Sequence, residues 1–186
     1  MRIIAGQFRS RVLQTPKGSI CRPAMGRTRA AIFSMLTARG LNFTTTYVLD
    51  LFAGSGSLAF EALSRGALGA VLVENAAPCI KCLERNRGNL GLETKVTIDS
   101  QDVLQFLRKE SPQTFGLVFL DPPYRRDVVN QALELLCSGN WLTEGAFVLC
   151  ELEAEYQVTF PEPLKPCWQR RFGQTLVSVA NFASTK

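Results

Sequence analysis

From Tyr47 onward, short apolar runs alternate with segments whose apolar residues recur at helical spacing. YVLDLF leads into SLAFEALSRG, AVLVE into a helix over about 76–90, and KVTID into one over about 103–109. FGLVFL then leads into a helix over about 127–137, followed by AFVLCE. Strand and helix repeated in this way predict an α/β domain, a doubly wound parallel sheet covered by helices on both faces. After Pro166 the period changes: WQRRF and QTLVSVANF, separated by Gly173, predict two closing strands that pair as an antiparallel hairpin. Ahead of the alternating region, residues 2–14 alternate loosely and predict a short hairpin. A Pro/Gly loop, TPKGSICRPAMG, follows, and then a helix over 27–38 with Ala30, Ile32, Phe33 and Leu36 available for packing.

A chain of 186 residues is long enough to bury a core of its own. Its apolar share of 46% and charged share of 20% are those of a soluble globular protein and not of a disordered one. No apolar stretch approaches the roughly 18 residues of a membrane span. The opening MRIIAGQFRSR returns to arginine before a hydrophobic run builds up, which argues against a secretory signal and for a cytoplasmic address. The six cysteines have no framework spacing, and reduced thiols are expected. Cys79 and Cys82 spell C-x-x-C, but there is no second such pair and no histidine in the chain, so helix-borne thiols are expected there and no metal. The lack of histidine also removes the Ser/His and Cys/His nucleophile arrangements.

Charge changes the picture more than composition does. The first 49 residues carry eight Arg or Lys and no acid, whereas the remainder carries thirteen basic and sixteen acidic residues, so a +8 arm precedes a −3 body. That asymmetry is the footprint of a polyanionic partner, most simply nucleic acid.

In doubly wound sheets ligands bind beyond the carboxyl ends of the strands. The first strand runs into Asp50-Leu-Phe-Ala-Gly54-Ser-Gly56-Ser, where glycines permit unusual dihedrals and the next helix presents free N–H groups. Gly54 to Ala59 fits the dinucleotide fingerprint G-x-G-x-x-[G/A], and Glu74 lies near the spacing at which a carboxylate meets ribose hydroxyls. Asp50 would repel a pyrophosphate but attract an ammonium. Asp102 is placed either to accept from an adenine amino group or to cap the helix at VLQFL. Ammonium, ribose and adenine together describe S-adenosylmethionine.

The stretches DLFAGSGSLAFEALSRGA, VLVE, DPPY, RIIAGQFRSRVL and RP...RTRAAIF together resemble the RsmD-like family of 16S ribosomal RNA guanine-N2 methyltransferases. The resemblance implies a Rossmann-like class I methyltransferase fold, a mostly parallel seven-stranded sheet with one antiparallel strand from the C-terminal hairpin. It implies S-adenosylmethionine as donor, held by Asp50, Phe52, Ala53, Gly54, Gly56, Glu74, Asp102 and Val103. Residues 1–45 would form a basic RNA-binding extension, and residues 46–186 the catalytic domain. The implied partner is 16S ribosomal RNA or a small-subunit assembly intermediate, engaged by a monomer. At Arg22 to Ala31 the chain reads RPAMGRTRAA where the family reads close to RPTxDRVRE, so Ala24, Gly26 and Ala31 depart from the pattern while Arg22, Arg27 and Arg29 are kept.

DPPY, Asp121 to Tyr124, carries the chemistry expected of such an enzyme. An exocyclic amine attacks a methyl group only when its lone pair leaves the ring, which is favoured when both N–H bonds meet fixed acceptors. Asp121 supplies one acceptor and the Pro122 carbonyl the other. Pro122 and Pro123 fix the backbone, and Tyr124 offers a face for an extruded base. Arg9, Arg11, Lys17, Arg22, Arg27 and Arg29 are the candidate phosphate contacts. Three alternatives share parts of this pattern: an adenine-N6 methyltransferase, an NAD-dependent oxidoreductase with the same glycine turn, and a non-catalytic RNA-binding module.

Overall fold

The computed structural model describes residues 1–16, 26–122, 126–156 and 158–183. Its strands are β1 (Tyr47–Leu51), β2 (Gly69–Val73), β3 (Val96–Asp99), β4 (Phe115–Leu120), β5 (Leu142–Glu153), β6 (Leu164–Phe172) and β7 (Thr175–Phe182). The helices are α1 (Gly26–Ala38), α2 (Ser57–Ser64), α3 (Ala77–Leu90), α4 (Val103–Leu107) and α5 (Arg126–Ser138), with a short 3₁₀ turn over Phe43–Thr45. The strands form one seven-stranded sheet in the order β3-β2-β1-β4-β5-β7-β6, in which β7 runs antiparallel to both its neighbours. This is the expected Rossmann-like architecture. The chain divides into two compact units, residues 1–100 and 101–186.

In the first unit, β1, β2 and β3 pair in parallel, with Asp50 opposite Leu72 and Leu51 opposite Val73. The apolar runs of β1 and β2 reflect burial on both sides, with Leu49, Leu51, Leu72 and Val73 all inaccessible, whereas β3, at the sheet edge, carries the exposed Thr97. Every residue of α2 is buried, including Glu61. Helix α3 starts with proline in its first turn and stops at Gly91, whose φ of 66° lies in the left-handed region that ends helices. Cys79, on α3, is disulfide-bonded, which corrects the expectation of six reduced thiols; Cys82, Cys137, Cys150 and Cys167 are thiols.

The first fourteen residues fold back as a short hairpin reduced to one antiparallel bridge, Arg2 to Val12, with the Ile3 N–H donating to the Arg11 carbonyl and the Leu13 N–H to the Met1 carbonyl, and the segment is also held by α2. Glu61 accepts from the Ile4 and Ala5 N–H groups, the Gln7 N–H donates to the Ser64 carbonyl, and the Phe8 N–H donates to Ser64 Oγ. The backbones meet at Gly6, whose φ is 84° and where a Cβ would lie 1.8 Å from the Ser64 carbonyl oxygen. Gly6→Ala is therefore expected to push the segment off α2 at a cost of about 1–3 kcal/mol, the usual penalty of overpacking, read as a lower denaturant midpoint.

In the second unit, β4 and β5 pair in parallel, β5 and β7 antiparallel, and β7 and β6 antiparallel. Trp141 anchors the core: it packs on Phe106 and Phe115, and its Nε1–H donates to the Leu107 carbonyl at 3.3 Å. Two strands exceed their sequence limits. β5 begins at Leu142 and absorbs a register shift opposite Phe115, with Gly145 at a φ of 74°. β6 begins before Pro166, which an edge strand tolerates because its missing N–H need not pair, and the register shifts between Pro166 and Trp168.

Candidate active site

At the end of β1 the backbone enters the left-handed region three times, at Phe52 (φ 66°), Gly54 (φ 55°) and Gly56 (φ 76°). Glycine adopts this conformation freely. Phe52 does not, and holding it there costs on the order of 1 kcal/mol or more, a kind of strain that clusters at ligand sites. The turn is fixed by hydrogen bonds from Ala53 N to the Val73 carbonyl (3.0 Å) and from Gly56 N to the Ala53 carbonyl (2.7 Å). Gly56 is required by packing: a Cβ there would lie 2.5 Å from the Phe60 ring and 2.8 Å from a Leu83 methyl.

Asp50 is 2% exposed and accepts from the Ala59 N–H at 3.3 Å. Gly56, the cap residue of α2, has no side-chain oxygen, so Asp50 acts as a cap from the preceding strand. Burial pushes its carboxyl up to about 7; the Ala59 N–H opposes the shift and the nearby Glu74 carboxylate adds to it. No cationic side chain among the described residues offsets that cost, so the site fits a ligand that brings a positive charge.

Glu74, half-buried at the end of β2, accepts from Gly54 N and from Ala76 N, both at 2.8 Å. It braces the glycine turn against the start of α3. Each carboxylate oxygen has a second lone pair for a ligand hydroxyl.

In the second unit, Asp102 is exposed and caps α4, its Oδ1 accepting from Leu104 N (2.9 Å) and Gln105 N (3.2 Å). The adjacent Val103 is buried. Asp121 and Pro122 are half-buried and directly follow β4, whose last four residues are inaccessible. The backbone carrying Asp121 is thus fixed by the sheet. Pro123 and Tyr124 lie outside the described residues, as do Lys17 and Arg22.

Of the candidate phosphate contacts, Arg9, Arg11 and Arg27 are exposed. Arg29 is not: it is 2% exposed, and its guanidinium donates to Met1 Sδ and the Arg2 carbonyl at 2.7 Å each. Its place on the apolar face of α1 makes it a clamp on the N-terminus, which corrects its reading as a phosphate contact. Burial lowers its pKa, and Glu61 acts in the other direction.

Three polar residues were not anticipated. Glu61 and Asn86 are both inaccessible to solvent. Asn86 joins the N-terminal segment to the glycine turn, accepting from Gln14 N (2.7 Å) and donating to the carbonyls of Gln14 and Ser55. Glu151, on β5, is 9% exposed and burial pushes its carboxyl up to about 7. The available signal for Glu61 was an acid inside an apolar helical run, and for Glu151 an acid ending the run AFVLCE. Among the described residues no group of three or more Cys, Asp or Glu could hold a metal.

Residues 1–181 match the family described as Conserved hypothetical protein 95. The ribosomal RNA small subunit methyltransferase D of Escherichia coli strain K12 is 35% identical over 83% of this chain and 76% of its own length. Its Haemophilus influenzae counterpart is 35% identical over 87% and 83%. The solved structure of yhhF from Escherichia coli aligns with a TM-score of 0.89 at 30% identity, over 100% of this chain and 99% of that one. Methyltransferases of much lower identity, such as a Geobacter sulfurreducens protein at 13% and a TM-score of 0.65, share the fold. A match over nearly the whole chain, with relatives at this identity and a glycine turn between two acids, makes the chain a member of the Conserved hypothetical protein 95 family, that of the RsmD-type ribosomal RNA methyltransferases.

Proposed function

We propose that this protein methylates the exocyclic N2 amine of a guanine in small-subunit ribosomal RNA, with S-adenosylmethionine as donor. The observation that carries the reading is Asp121 with Pro122: a half-buried acid and a prolyl carbonyl set at the end of an inaccessible strand, in a chain whose relatives are small-subunit RNA methyltransferases.

The donor, when bound, supplies a methyl group on a sulfonium. In this reading Asp50 takes its ammonium, Glu74 its ribose hydroxyls and the Phe52 to Gly56 turn its backbone contacts. The free oxygen face of Asp102, beside Val103, takes the adenine amino group. Asp121 and the Pro122 carbonyl accept the two N–H bonds of the target amine and hold its lone pair out of the ring. With that donor held by these residues, attack by the amine lone pair on the methyl would form the N–C bond as the C–S bond gave up its electron pair to sulfur. The positive charge gathering on nitrogen is stabilised by the Asp121 carboxylate, more in the transition state than before it. The excess proton then leaves through Asp121 to water. Tyr124 stacks on the extruded base next to Pro123, and Arg9, Arg11, Arg27, Lys17 and Arg22 meet phosphates. The enzyme acts in the cytoplasm as a monomer.

The test is methyl transfer from labelled donor to small-subunit particles and to bare RNA taken from cells lacking this protein, followed by nucleoside analysis. N2-methylguanosine is expected; N6-methyladenosine in its place, or no incorporation into either RNA, would overturn the reading.

Asp50 provides a second measurement. Its carboxyl is raised to about 7, so near that pH a fraction is protonated, and binding of a cation must release that proton. Donor affinity is therefore expected to be constant above pH 7 and to weaken below it, by up to about tenfold per pH unit. Calorimetry at pH 6 and 8 reads this directly, and Asp50→Asn should weaken binding at pH 8 and remove the dependence. Affinity independent of pH in the unaltered protein would exclude Asp50 from the ammonium site.

A further inference from the structure

We infer that Glu151 reads the target base, its carboxylate accepting the N1–H of guanine beside the amine that Asp121 holds. The inference rests on the guanine-N2 reading above and adds the residue that chooses guanine.

β4 and β5 pair in parallel with Phe119 opposite Leu149 and Leu120 opposite Cys150. Asp121 directly follows β4; continuing that register by one residue would set it beside Glu151, on strands about 4.8 Å apart, where partners on one rung point to the same face of a sheet. On its other side Glu151 is opposite Val177 of β7, which is inaccessible. By this extension the two acids are neighbours near the carboxyl ends of adjacent strands, Asp121 just past β4 and Glu151 two residues before the end of β5, where doubly wound sheets bind their ligands.

Register alone would give only a pair of acids. The second observation is that Glu151, although 9% exposed, leaves its Oε2 with no hydrogen-bond partner. Buried oxygens without partners are rare, and the cost of a charged one is high. Glu61 shows how this chain treats a carboxylate that serves the fold: that side chain accepts from two backbone N–H groups and from Arg65. Among the described residues Glu151 is the one carboxylate with a solvent-inaccessible oxygen left without a hydrogen-bond partner. A ligand N–H completes it.

The chemistry of the bases then decides which ligand. On guanine the N2 amine is flanked by N1–H, so two neighbouring carboxylates face a continuous row of donors. On adenine the amine is flanked by N1 bearing a lone pair, which the Glu151 carboxylate, ionised above about pH 7, would repel. An acid followed by two prolines and an aromatic ring suits either amine, whereas the added acid on the next strand suits guanine.

The experiment compares RNA carrying the mapped target guanosine with the same RNA carrying 2-aminopurine there. That base keeps the N2 amine but presents a lone pair at N1. Unaltered protein is expected to favour guanosine in kcat/KM by about 10²-fold or more, as sites built around a substrate N–H do. In Glu151→Ala the preference should fall at least tenfold, because the guanosine rate drops while the 2-aminopurine rate holds or rises. Since 2-aminopurine also lacks O6, only the change in preference between the two proteins reports on Glu151. Glu151→Gln, close to isosteric and monitored by thermal melting, guards against misfolding and should lie between them. Equal slowing of both substrates by Glu151→Ala, with the preference intact, would make the residue structural and overturn the inference. Failure of unaltered protein to methylate guanosine would instead overturn the underlying functional reading.

Discussion

Asp121→Ala is expected to lower kcat by about 10²-fold or more, with donor affinity and thermal stability close to those of the unaltered protein. The size follows from the job assigned to the side chain. Removing one fixed hydrogen-bonding group from the place where charge develops costs about 10²–10³ in kcat elsewhere, or about 2.7–4 kcal/mol. The chain has no histidine to take over. Stability is expected to hold because Asp121 is only half-buried and lies just beyond the inaccessible residues of β4, so its loss opens no cavity in the core. The loss should fall on kcat and leave KM nearly unchanged, since the contact strengthens as nitrogen becomes positive and contributes little to ground-state binding. Asp121→Asn separates geometry from charge: the amide oxygen still accepts an N–H, but the charge is gone, and an intermediate rate is expected. Single-turnover transfer to the RNA substrate makes the comparison. Equal rates for Asp121→Ala and the unaltered protein would remove Asp121 from the chemistry and, with it, the reason to read DPPY as catalytic.

The fold was legible because its signals are local. A buried parallel strand is a short apolar run whatever it pairs with, and YVLDL, GAVLV and FGLVFL stand between helical stretches. The glycine turn was legible for the same reason: Gly54 and Gly56 have the left-handed φ that a tight strand-to-helix turn demands. What each acid does was less visible, because it depends on partners far along the chain. The spacing of Glu74 points to a ribose ligand, but its hydrogen bonds first brace Gly54 and Ala76, and Asp102 spends one oxygen as a helix cap. Arg29 is different, since its position was informative. It precedes Ile32, Phe33 and Leu36 at spacings of three, four and seven, the stripe that faces the core, and all four are buried. Periodicity said that this arginine points inward. A count of positive charge in the arm did not.

Glu61 is where the next largest effect is expected, on stability. Glu61→Gln should destabilise the protein by about 3–5 kcal/mol, the range found when one partner of a buried ion pair is removed and the other is left behind. The carboxylate is inaccessible and fully used. One oxygen accepts from Ile4 N at 2.7 Å; the other accepts from Ala5 N at 3.1 Å and pairs with Arg65, whose Nε and second guanidinium nitrogen lie at 3.0 and 2.9 Å. The Arg65 guanidinium also lies over the Phe33 ring, and buried Arg29 feels the same negative charge. A glutamine presents one oxygen and one NH₂ in place of two anionic oxygens. At least one of the backbone and guanidinium donors then loses its acceptor, and two cations lose their counter-charge. Because Glu61 ties down the segment that carries Arg9 and Arg11, the damage should be local before it is global. The Ile4 and Ala5 amides are expected to lose hydrogen-exchange protection at denaturant concentrations that leave β1 and β2 protected, and RNA affinity should weaken while donor affinity holds. A denaturant midpoint within about 0.5 kcal/mol of the unaltered protein, with those two amides still protected, would show that Gln7, Phe8 and Ser64 hold the segment without it.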